Sequence, residues 1–218
     1  RKNGNELLTC DLPDVDIVIH LAAMSGVRDS MDNPTEYWKN NVIVSQRIFD
    51  RYKDKRILYA SSSTAKEPWM NPYAMSKYSM EQIAPAGSLG MRFTTVYGPG
   101  AREQMLIPKI LKNKVPYINT NHSRDFIHVD DICSAIFSLL THNDITAFPN
   151  ATGVIDVGTG ITHKLTDIIN YFGITAKESI GGDNERLDNK ADIEILTTHG
   201  WEPQHELMKY IKKNRMVN

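Results

Sequence analysis

The chain has 218 residues, of which 41% are hydrophobic and 23% are charged, and its formal net charge is −1. This balance is typical of a globular protein with one good core or two small lobes, and it argues against a broad surface for nucleic acid. No apolar run is long enough to cross a bilayer, and no segment resembles a signal peptide. Cys10 and Cys133 lie far apart without metal-ligand spacing, so we expect two reduced core cysteines in a cytoplasmic protein.

The first half of the chain alternates between predicted strands and predicted helices. Strands are expected at residues 5–12, 15–21, 56–60 and 91–97. One helix is expected at 33–52, and a second begins at Tyr73 and is stopped by Pro85 and Gly87. The branched apolar run at 15–21 is typical of a parallel strand that is covered on both faces. This alternation predicts right-handed crossovers and a doubly wound α/β sheet.

The second half of the chain is more mixed. Helices are expected at 106–111 and 129–141. A third helix is expected to end near Tyr171, and a last one to start near Glu206. Strands are expected at 115–119 and 154–157. Asp130 and Asp131 fall in the first turn of the 129–141 helix, where negative charge suits the helix dipole. No internal repeat or low-complexity segment stands out.

The most informative pattern is Tyr73-x-x-x-Lys77 at the start of a helix, just after a strand that ends in Ser61-Ser62-Ser63. Residues four apart lie on one helix face, so Lys77 is expected beside Tyr73. A phenol has an ordinary pKa of about 10, and a neighbouring ammonium pulls that pKa toward neutrality. A serine hydroxyl, from Ser63 or from its rival Ser62, could then bridge Tyr73 to a substrate alcohol. This trio predicts removal of a proton from an alcohol while hydride leaves the same carbon.

Several further segments accompany this pattern in a fixed order. They are His20-Leu21-Ala22-Ala23, residues 34–41, residues 92–99, residues 124–131, residues 156–160 and residues 200–203. Together with the serine run and Tyr73-x-x-x-Lys77, they resemble the extended short-chain dehydrogenase/reductase family, the nucleotide-sugar epimerases and dehydratases. One such motif alone is weak evidence, but this ordered series covers nearly the whole chain.

The resemblance implies NAD as cofactor and a Rossmann-like parallel sheet with a smaller C-terminal α/β lobe for the substrate. Residues 1–97 are then expected to form a partial NAD-binding domain onto which 122–143 packs back, and 98–218 are expected to form mainly the substrate-binding lobe. The resemblance implies a UDP-sugar as the partner molecule. It is also compatible with a homodimer. Partners among nucleic acids and membranes are not expected.

The resemblance also assigns roles to individual residues. It makes Ser63, Tyr73 and Lys77 catalytic. The cofactor-binding residues that it implies are Asp11, Leu12, Leu21, Ala22, Ala23, Asn41, Ala60, Ser61, Ser62, Tyr73, Lys77, Phe93 and Val96. The substrate-binding residues that it implies are Arg28, Ser63, Thr95, Arg102, Met105, Arg124 and Arg186. No metal site is expected, since His122 and His128 lack metal-like partners in the sequence.

Two segments are similar to those of UDP-glucuronate 4-epimerases. The first is residues 25–30, and the second is the run 93–99 followed by 102–105. A Thr95 hydroxyl, helped by Arg28 or Arg102, could hold a sugar carboxylate. The acidic residue that the dehydratase branch places after the catalytic hydroxyl is replaced here by Thr64-Ala65. The expected activity is therefore inversion at C4 of a UDP-hexose, with UDP-glucuronate favoured and UDP-galactose or a UDP-N-acetylhexosamine as alternatives.

One family feature is missing from the sequence. The family begins with a strand and a glycine-rich turn that cradles the dinucleotide pyrophosphate. Here Gly4 is the only glycine before Gly26, and Gly158-Thr159-Gly160 comes too late in the chain. We therefore expect the sheet to lack its first strand and that turn. A catalytically silent fragment that binds a nucleotide sugar or a dinucleotide remains the alternative to an active epimerase.

Overall fold

The computed structural model of the protein describes residues 4–141 and 153–215. These residues form two compact units, the first from residues 4–93 and 153–156 and the second from residues 94–141 and 157–215. Within the described ranges, no helix combines the length and apolar character that a membrane span requires.

Strands and helices alternate through most of the chain. The strands are β1 (Ile17–His20), β2 (Arg56–Ser62), β3 (Leu89–Phe93), β4 (Thr95–Tyr97), β5 (Tyr117–Asn119), β6 (Ser123–His128), β7 (Val154–Val157), β8 (Thr162–Lys164) and β9 (Lys177–Ser179). The α-helices are α1 (Gly4–Thr9), α2 (Val27–Asp32), α3 (Pro34–Trp38), α4 (Val44–Tyr52), α5 (Pro72–Ile83), α6 (Leu106–Leu111), α7 (Val129–Thr141), α8 (Leu165–Tyr171), α9 (Glu194–Thr198) and α10 (Leu207–Asn214). A π-helical turn, Lys39–Ile43, joins α3 to α4.

The first unit is built on a sheet with strand order β1-β2-β3-β7. β1 and β2 are parallel, as are β2 and β3, with Ile19 opposite Leu58 and Ala60 opposite Met91. The middle of β2 is buried on both faces, as its continuous apolar run predicts. The predicted α/β fold with a parallel sheet is thereby confirmed.

The outer strand β1 differs from the prediction. A strand covered on both faces was expected at 15–21, but Ile17 and Ile19 are 46% and 44% exposed. β1 lies at the end of the described sheet order, so alternate side chains along it meet solvent on one face.

The predicted strand at 5–12 is wrong, because residues Gly4–Thr9 form the helix α1. Leu7 and Leu8 pack on the core of α4, β2 and α5. The guanidinium of Arg47 donates to the carbonyl oxygens of Leu7 and of Cys10, the latter at 2.7 Å. Carbonyls at a helix C-terminus lack partners within the helix, and an arginine that binds them stabilises the helix.

The second unit contains a sheet with strand order β4-β6-β8 and a separate pair formed by β5 and β9. Its helices α6 and α7 coincide with the predicted ranges, whereas β6, β8, β9 and α9 have no counterpart in the prediction. The strand expected at 91–97 is interrupted at Thr94, whose N–H donates to the Val157 carbonyl at 3.1 Å. The core is formed by side chains from β4, α6, β5, β6, α8 and α10.

The boundary between the units lies after Phe93, four residues before the expected boundary at 97. Residues 122–141 group with the second unit, and 142–143 lie outside the described residues. The functional roles expected for the two parts, cofactor binding and substrate binding, remain predictions.

Asp125 is a fully buried carboxylate at the centre of the second unit. Its Oδ1 accepts from the Thr159 N–H at 2.9 Å and hydroxyl at 2.7 Å, and its Oδ2 accepts from the N–H groups of Gly160 at 2.9 Å and Ala191 at 3.1 Å. A Cβ on Gly158 would lie 2.7 Å from Asp125 Oδ2 and 2.5 Å from the Ala191 Cβ, so only glycine fits there. The late Gly-Thr-Gly turn is therefore an anion cradle whose anion is the protein's own carboxylate.

A second buried carboxylate fixes α5 on the first unit's sheet. The Glu81 side chain is 1% exposed. It receives two hydrogen bonds from Arg92, from Nε at 2.8 Å and from Nη2 at 2.6 Å, and a third from the Ser61 hydroxyl. Ser61 belongs to β2 and Arg92 to β3, so one carboxylate joins the helix to two neighbouring strands.

Removing the Glu81 carboxylate tests whether this ion pair anchors α5. We expect Glu81→Ala to lower the free energy of unfolding by about 3 kcal/mol, because it leaves the partly buried Arg92 without its counter-charge. Urea denaturation followed by circular dichroism measures the change. Glu103→Ala is the control, since Glu103 pairs with Lys112 at the exposed surface, where ion pairs contribute little. Equal, small effects of the two substitutions would contradict the anchoring role.

Candidate active site

The carboxyl end of β2 and the start of α5 bring the predicted catalytic residues into one region of the first unit. β2 ends at Ser62 and runs into a 3₁₀ turn, Ser63–Lys66, against which α5 packs. Asn71 caps α5, since its Oδ1 accepts from the Ala74 N–H at 2.8 Å, and Pro72 occupies the first turn. The cap fixes where the helix begins and therefore where Tyr73 stands.

Lys77 lies one helical turn after Tyr73 and is buried. Its Nζ donates to the Ala60 carbonyl of β2 at 2.7 Å, and the residue is 3% exposed. Burial lowers the pKa of Lys77 to about 7, an effect that the nearby negative charge of Glu81 opposes. The ammonium therefore gains or loses its proton near neutral pH, unlike an exposed lysine.

Tyr73 is half-buried and packs against a second tyrosine. The rings of Tyr73 and Tyr37 meet edge to face, with centroids 6.0 Å apart. Tyr37 is fully buried and donates its hydroxyl to Asp29 Oδ2 at 3.0 Å. The Ser76 hydroxyl donates to the Tyr73 carbonyl at 2.8 Å. Tyr37 thus forms a fixed wall beside the Tyr73 ring, a contact that the sequence pattern did not predict.

The three serines at the end of β2 have different surroundings. Ser61 donates to Glu81, as described above. The Ser62 oxygen caps the 3₁₀ turn by accepting from the Thr64 N–H at 3.3 Å and from the Thr64 hydroxyl at 2.9 Å. Ser63 is the first residue of that turn and is buried. Ser62 and Ser63 were both candidates for the catalytic hydroxyl, and the capping bonds occupy the oxygen of Ser62.

Asn41, predicted to face the cofactor, is fully buried in the π-helical turn and joins three segments. Its Nδ2 donates to the Met24 carbonyl at 3.0 Å and to the Ser76 hydroxyl at 2.9 Å, and its Oδ1 accepts from the Met24 N–H at 2.7 Å. Asn41 therefore ties the loop after β1 to α5. A π-helical turn inserts one extra residue into a helix and is frequent at functional sites.

His20 is the last residue of β1 and precedes that loop. Its Nε2 is 2.8 Å from the Ser45 hydroxyl, which in turn donates to the Asn41 carbonyl at 2.6 Å. Burial, and then the positive charge of Lys77, lower the pKa of His20 to about 4. The ring is therefore neutral at physiological pH, as suits a structural residue at a strand end.

Most residues predicted to bind the cofactor in the first unit lie at the carboxyl ends of the parallel strands. Leu21, Ala22 and Ala23 follow β1 and are exposed, whereas Ala60 and Phe93 are half-buried near the ends of β2 and β3. Open parallel sheets bind ligands at this edge.

Two further predicted cofactor residues, Asp11 and Leu12, precede β1. Asp11 is exposed, and Leu12 packs on the core cluster of α4 and β2. Arg28, predicted to bind the substrate, is exposed on α2.

The remaining predicted residues lie in the second unit. Thr95 accepts a hydrogen bond from Asn189 Nδ2 at 3.1 Å, and Asn189 Oδ1 accepts from the Asp125 N–H at 2.7 Å. Val96 is half-buried in β4, opposite Ile127. Arg102 is exposed before α6, and Met105 is half-buried at its N-terminus.

Arg124 has a defined position. Its Nη1 donates to the carbonyls of Ser123 at 2.7 Å and Leu187 at 3.0 Å, and its Nη2 is 3.1 Å from His122 Nδ1. Burial lowers the pKa of Arg124; Glu185 and Asp188 oppose the shift, and the positive charge of Arg186 adds to it. Arg124 and Arg186 are therefore near neighbours, with acidic groups close by.

Sequence reasoning missed the residues that hold these side chains in place, chiefly Glu81, Tyr37, Asn71 and Asn189. A signal existed for Glu81, which lies four residues after Lys77 on the helix face that begins with Tyr73. No comparable spacing marks Asn189, which is joined to β4 only through the tertiary structure.

Comparison with known proteins assigns the family. The family model described as "NAD dependent epimerase/dehydratase family" matches residues 6–151. A putative UDP-glucose 4-epimerase from Methanocaldococcus jannaschii is 29% identical over 94% of this chain and 77% of its own length. UDP-glucuronate 4-epimerase 3 from Arabidopsis thaliana is 32% identical over 90% of this chain, which spans only 57% of the plant protein.

A solved structure gives the same assignment. UDP-glucuronic acid 4-epimerase from Bacillus cereus, in complex with UDP-glucuronic acid and NAD, is 25% identical, with a TM-score of 0.79 over 95% of this chain and 78% of that protein. This likeness confirms the predicted Rossmann-like α/β fold, and the NAD dependence of the family agrees with the predicted cofactor. The family model covers well over half of the residues, and the chain therefore belongs to the NAD dependent epimerase/dehydratase family.

Proposed function

We propose that this protein is an NAD-dependent epimerase that inverts C4 of UDP-glucuronate. The observation that carries the proposal is the buried Lys77 ammonium, bonded to the Ala60 carbonyl one helical turn from Tyr73. A buried cation has its greatest influence on a neighbouring acid, because little water screens the charge.

Tyr73 is the proposed base. A protonated Lys77 favours the phenolate form of Tyr73, which then takes the proton from the C4 hydroxyl. The buried Ser63 hydroxyl is the proposed partner of that substrate oxygen, and Ser62, whose oxygen caps the turn, is the alternative. Tyr37 limits rotation of the Tyr73 ring by its edge-to-face contact.

The residues at the sheet edge fit a nicotinamide ring. Ala22 and Ala23 are exposed and small, so the loop after β1 presents a surface that a flat ring can approach. Asn41 fixes that loop by its two bonds to Met24. When bound, NAD accepts hydride from the sugar carbon and later returns it. Lys77 and Ala60 would lie on the ribose side of such a ring.

Most of the residues proposed to bind the substrate belong to the second unit. Arg124 and its neighbour Arg186 would bind the diphosphate, for which arginine has suitable geometry. Thr95 accepts from Asn189, which orients the Thr95 hydroxyl so that its own proton can be donated to a sugar carboxylate. Arg102 and Met105 would lie along the sugar, and Arg28 is a further candidate for the carboxylate.

A neutral UDP-hexose is the second candidate substrate. The archaeal relative, which matches 94% of this chain, is named a putative UDP-glucose 4-epimerase. A hydroxyl such as that of Thr95 binds a sugar alcohol as well as a carboxylate.

Product analysis distinguishes these substrates. We expect NAD-supplemented protein to convert UDP-glucuronate to UDP-galacturonate with a kcat/KM at least about tenfold above that for UDP-glucose or UDP-N-acetylglucosamine, an advantage worth about 1.4 kcal/mol. Nuclear magnetic resonance of the anomeric protons measures each product. Thr95→Val should reduce the preference, whereas Thr95→Ser should keep it. Faster turnover of UDP-glucose would favour the neutral sugar, and NAD binding without any product would favour a silent binding module.

Tyr73→Phe tests the proposed base. We expect kcat to fall by at least about 100-fold, the usual contribution of a positioned base, while the affinity for UDP stays unchanged. Tyr78→Phe is the matched control, because Tyr78 lies on the same helix and is 37% exposed. Near-normal turnover by Tyr73→Phe would remove Tyr73 from the mechanism.

The pH dependence tests Lys77. Its folded pKa of about 7 means that the protonated form is lost as pH rises through that value, so we expect kcat/KM to decline on the alkaline side. Glu81→Gln should move this decline to lower pH, because the Glu81 charge raises the Lys77 pKa. Glu103→Gln is the control and should leave the profile in place. A profile that does not move in Glu81→Gln would show that another group controls the alkaline limb.

A further inference from the structure

A group of three potential metal ligands lies in the second unit, apart from the residues discussed above. It consists of His128 at the end of β6, Asp130 in the first turn of α7, and His205 just before α10. One ligand atom from each lies within 4.8 Å of the others. We propose that these three side chains form a binding site for a divalent transition-metal ion of the zinc class.

The distances are close to those of a coordinated ion. Asp130 Oδ2 is 3.6 Å from His128 Nδ1 and 3.9 Å from His205 Nε2. Nitrogen and oxygen ligands lie about 2.0–2.2 Å from zinc, so ligand atoms in a tetrahedral site are roughly 3.3 Å apart. The two measured N···O separations therefore exceed the tetrahedral value by only a fraction of an ångström.

A buried carboxylate fixes the tautomer of His205. Asp131 is 1% exposed, and its Oδ1 lies 2.8 Å from His205 Nδ1. Its Oδ2 accepts from the backbone N–H of His205 at 3.0 Å. A carboxylate only accepts, so Nδ1 carries the proton and Nε2 presents a lone pair toward Asp130. Metal-binding histidines usually donate their second ring N–H to a carboxylate in this way.

His128 Nδ1 is the unprotonated ring nitrogen, because it accepts from the Asp130 N–H at 3.2 Å. Its one lone pair is engaged in that hydrogen bond, so an ion that binds Nδ1 must replace it. A cation between the two ring nitrogens and the Asp130 carboxylate would then be bound by all three groups.

His128 is held firmly, and the other two ligands are accessible. His128 is 3% exposed and packs against Tyr97 and Tyr210, with ring centroids 5.1 Å and 5.2 Å away. The Asp130 and His205 side chains are 67% and 40% exposed, so an ion can enter from solvent and keep a water as fourth ligand. The His128 and His205 rings are stacked at 4.2 Å, and metal binding requires the exposed His205 ring to tilt out of that stack.

The donor set indicates the kind of ion. Two imidazoles and one carboxylate suit Zn²⁺ and its neighbours Co²⁺ and Ni²⁺, whereas Mg²⁺ and Ca²⁺ prefer oxygen ligands. A bound ion would join the β6–α7 junction to the segment that leads into α10. It would act as a clip on the fold of the second unit and not as part of the epimerase chemistry.

Calorimetric titration of the full chain, free of any affinity tag, with Zn²⁺ tests the proposal, and Co²⁺ gives an optical readout. We expect one ion per chain, a visible Co²⁺ absorption band typical of four-coordinate geometry, and a thermal midpoint that rises with Zn²⁺ concentration. Asp130→Asn and His205→Gln should each weaken binding by at least about tenfold and abolish the band. Both residues are exposed, so these variants should fold normally.

His163→Gln is the matched control, since His163 lies on β8 of the same unit and outside this group. It should bind the ion with unchanged affinity. Absence of binding to the unaltered chain would overturn the proposal, as would binding that persists in both Asp130→Asn and His205→Gln. The test needs neither NAD nor a sugar, so its outcome is independent of the proposed epimerase activity.

Discussion

One buried carboxylate joins helix α5 to two strands of the first unit's sheet. Glu81 receives three hydrogen bonds from β2 and β3, two from Arg92 and one from Ser61. A buried ion pair is often no more stabilising than an apolar contact, but it fixes geometry because its partners have only one satisfactory arrangement. On the same helix, Lys77 Nζ donates a hydrogen bond to the Ala60 carbonyl of β2. The same negative charge partly offsets the effect of burial on the Lys77 pKa, so an anchoring residue also adjusts the proposed chemistry.

The second unit also contains a buried carboxylate, but its described hydrogen-bond donors are uncharged groups and not an arginine. The buried Asp125 carboxylate is surrounded by backbone N–H groups and the Thr159 hydroxyl. These bonds hold the loop after β7 and the segment around Ala191. The Asp125 N–H in turn orients Asn189, which donates to Thr95. The direction of the Thr95 hydroxyl is therefore set by residues from three distant parts of the chain.

Asn41 has a comparable role in the first unit, where all three of its described side-chain bonds reach other segments. A residue expected to face the cofactor is thus fully buried between the loop after β1 and α5. Asn41 lies in the π-helical turn between α3 and α4, and such turns are frequent at functional sites. The resemblance to a family indicated that Asn41 matters but not through which contacts.

The sequence by itself determined the features that depend on local periodicity. Residue spacing and composition over a few turns determined the placement of Tyr73 and Lys77 one turn apart on α5, the helices at 106–111 and 129–141, the strand at 154–157 and the parallel character of β2. Tertiary structure alone decided the rest. It joined Arg47 to the carbonyls at the end of the 4–9 helix, bound Ser61 to Glu81, turned the Gly-Thr-Gly segment into a cradle for Asp125, and brought His205 against His128. Each of these depends on a hydrogen bond or ring contact between residues far apart in the chain. Such contacts leave no periodic trace in the sequence, because only the folded backbone brings the two groups within reach.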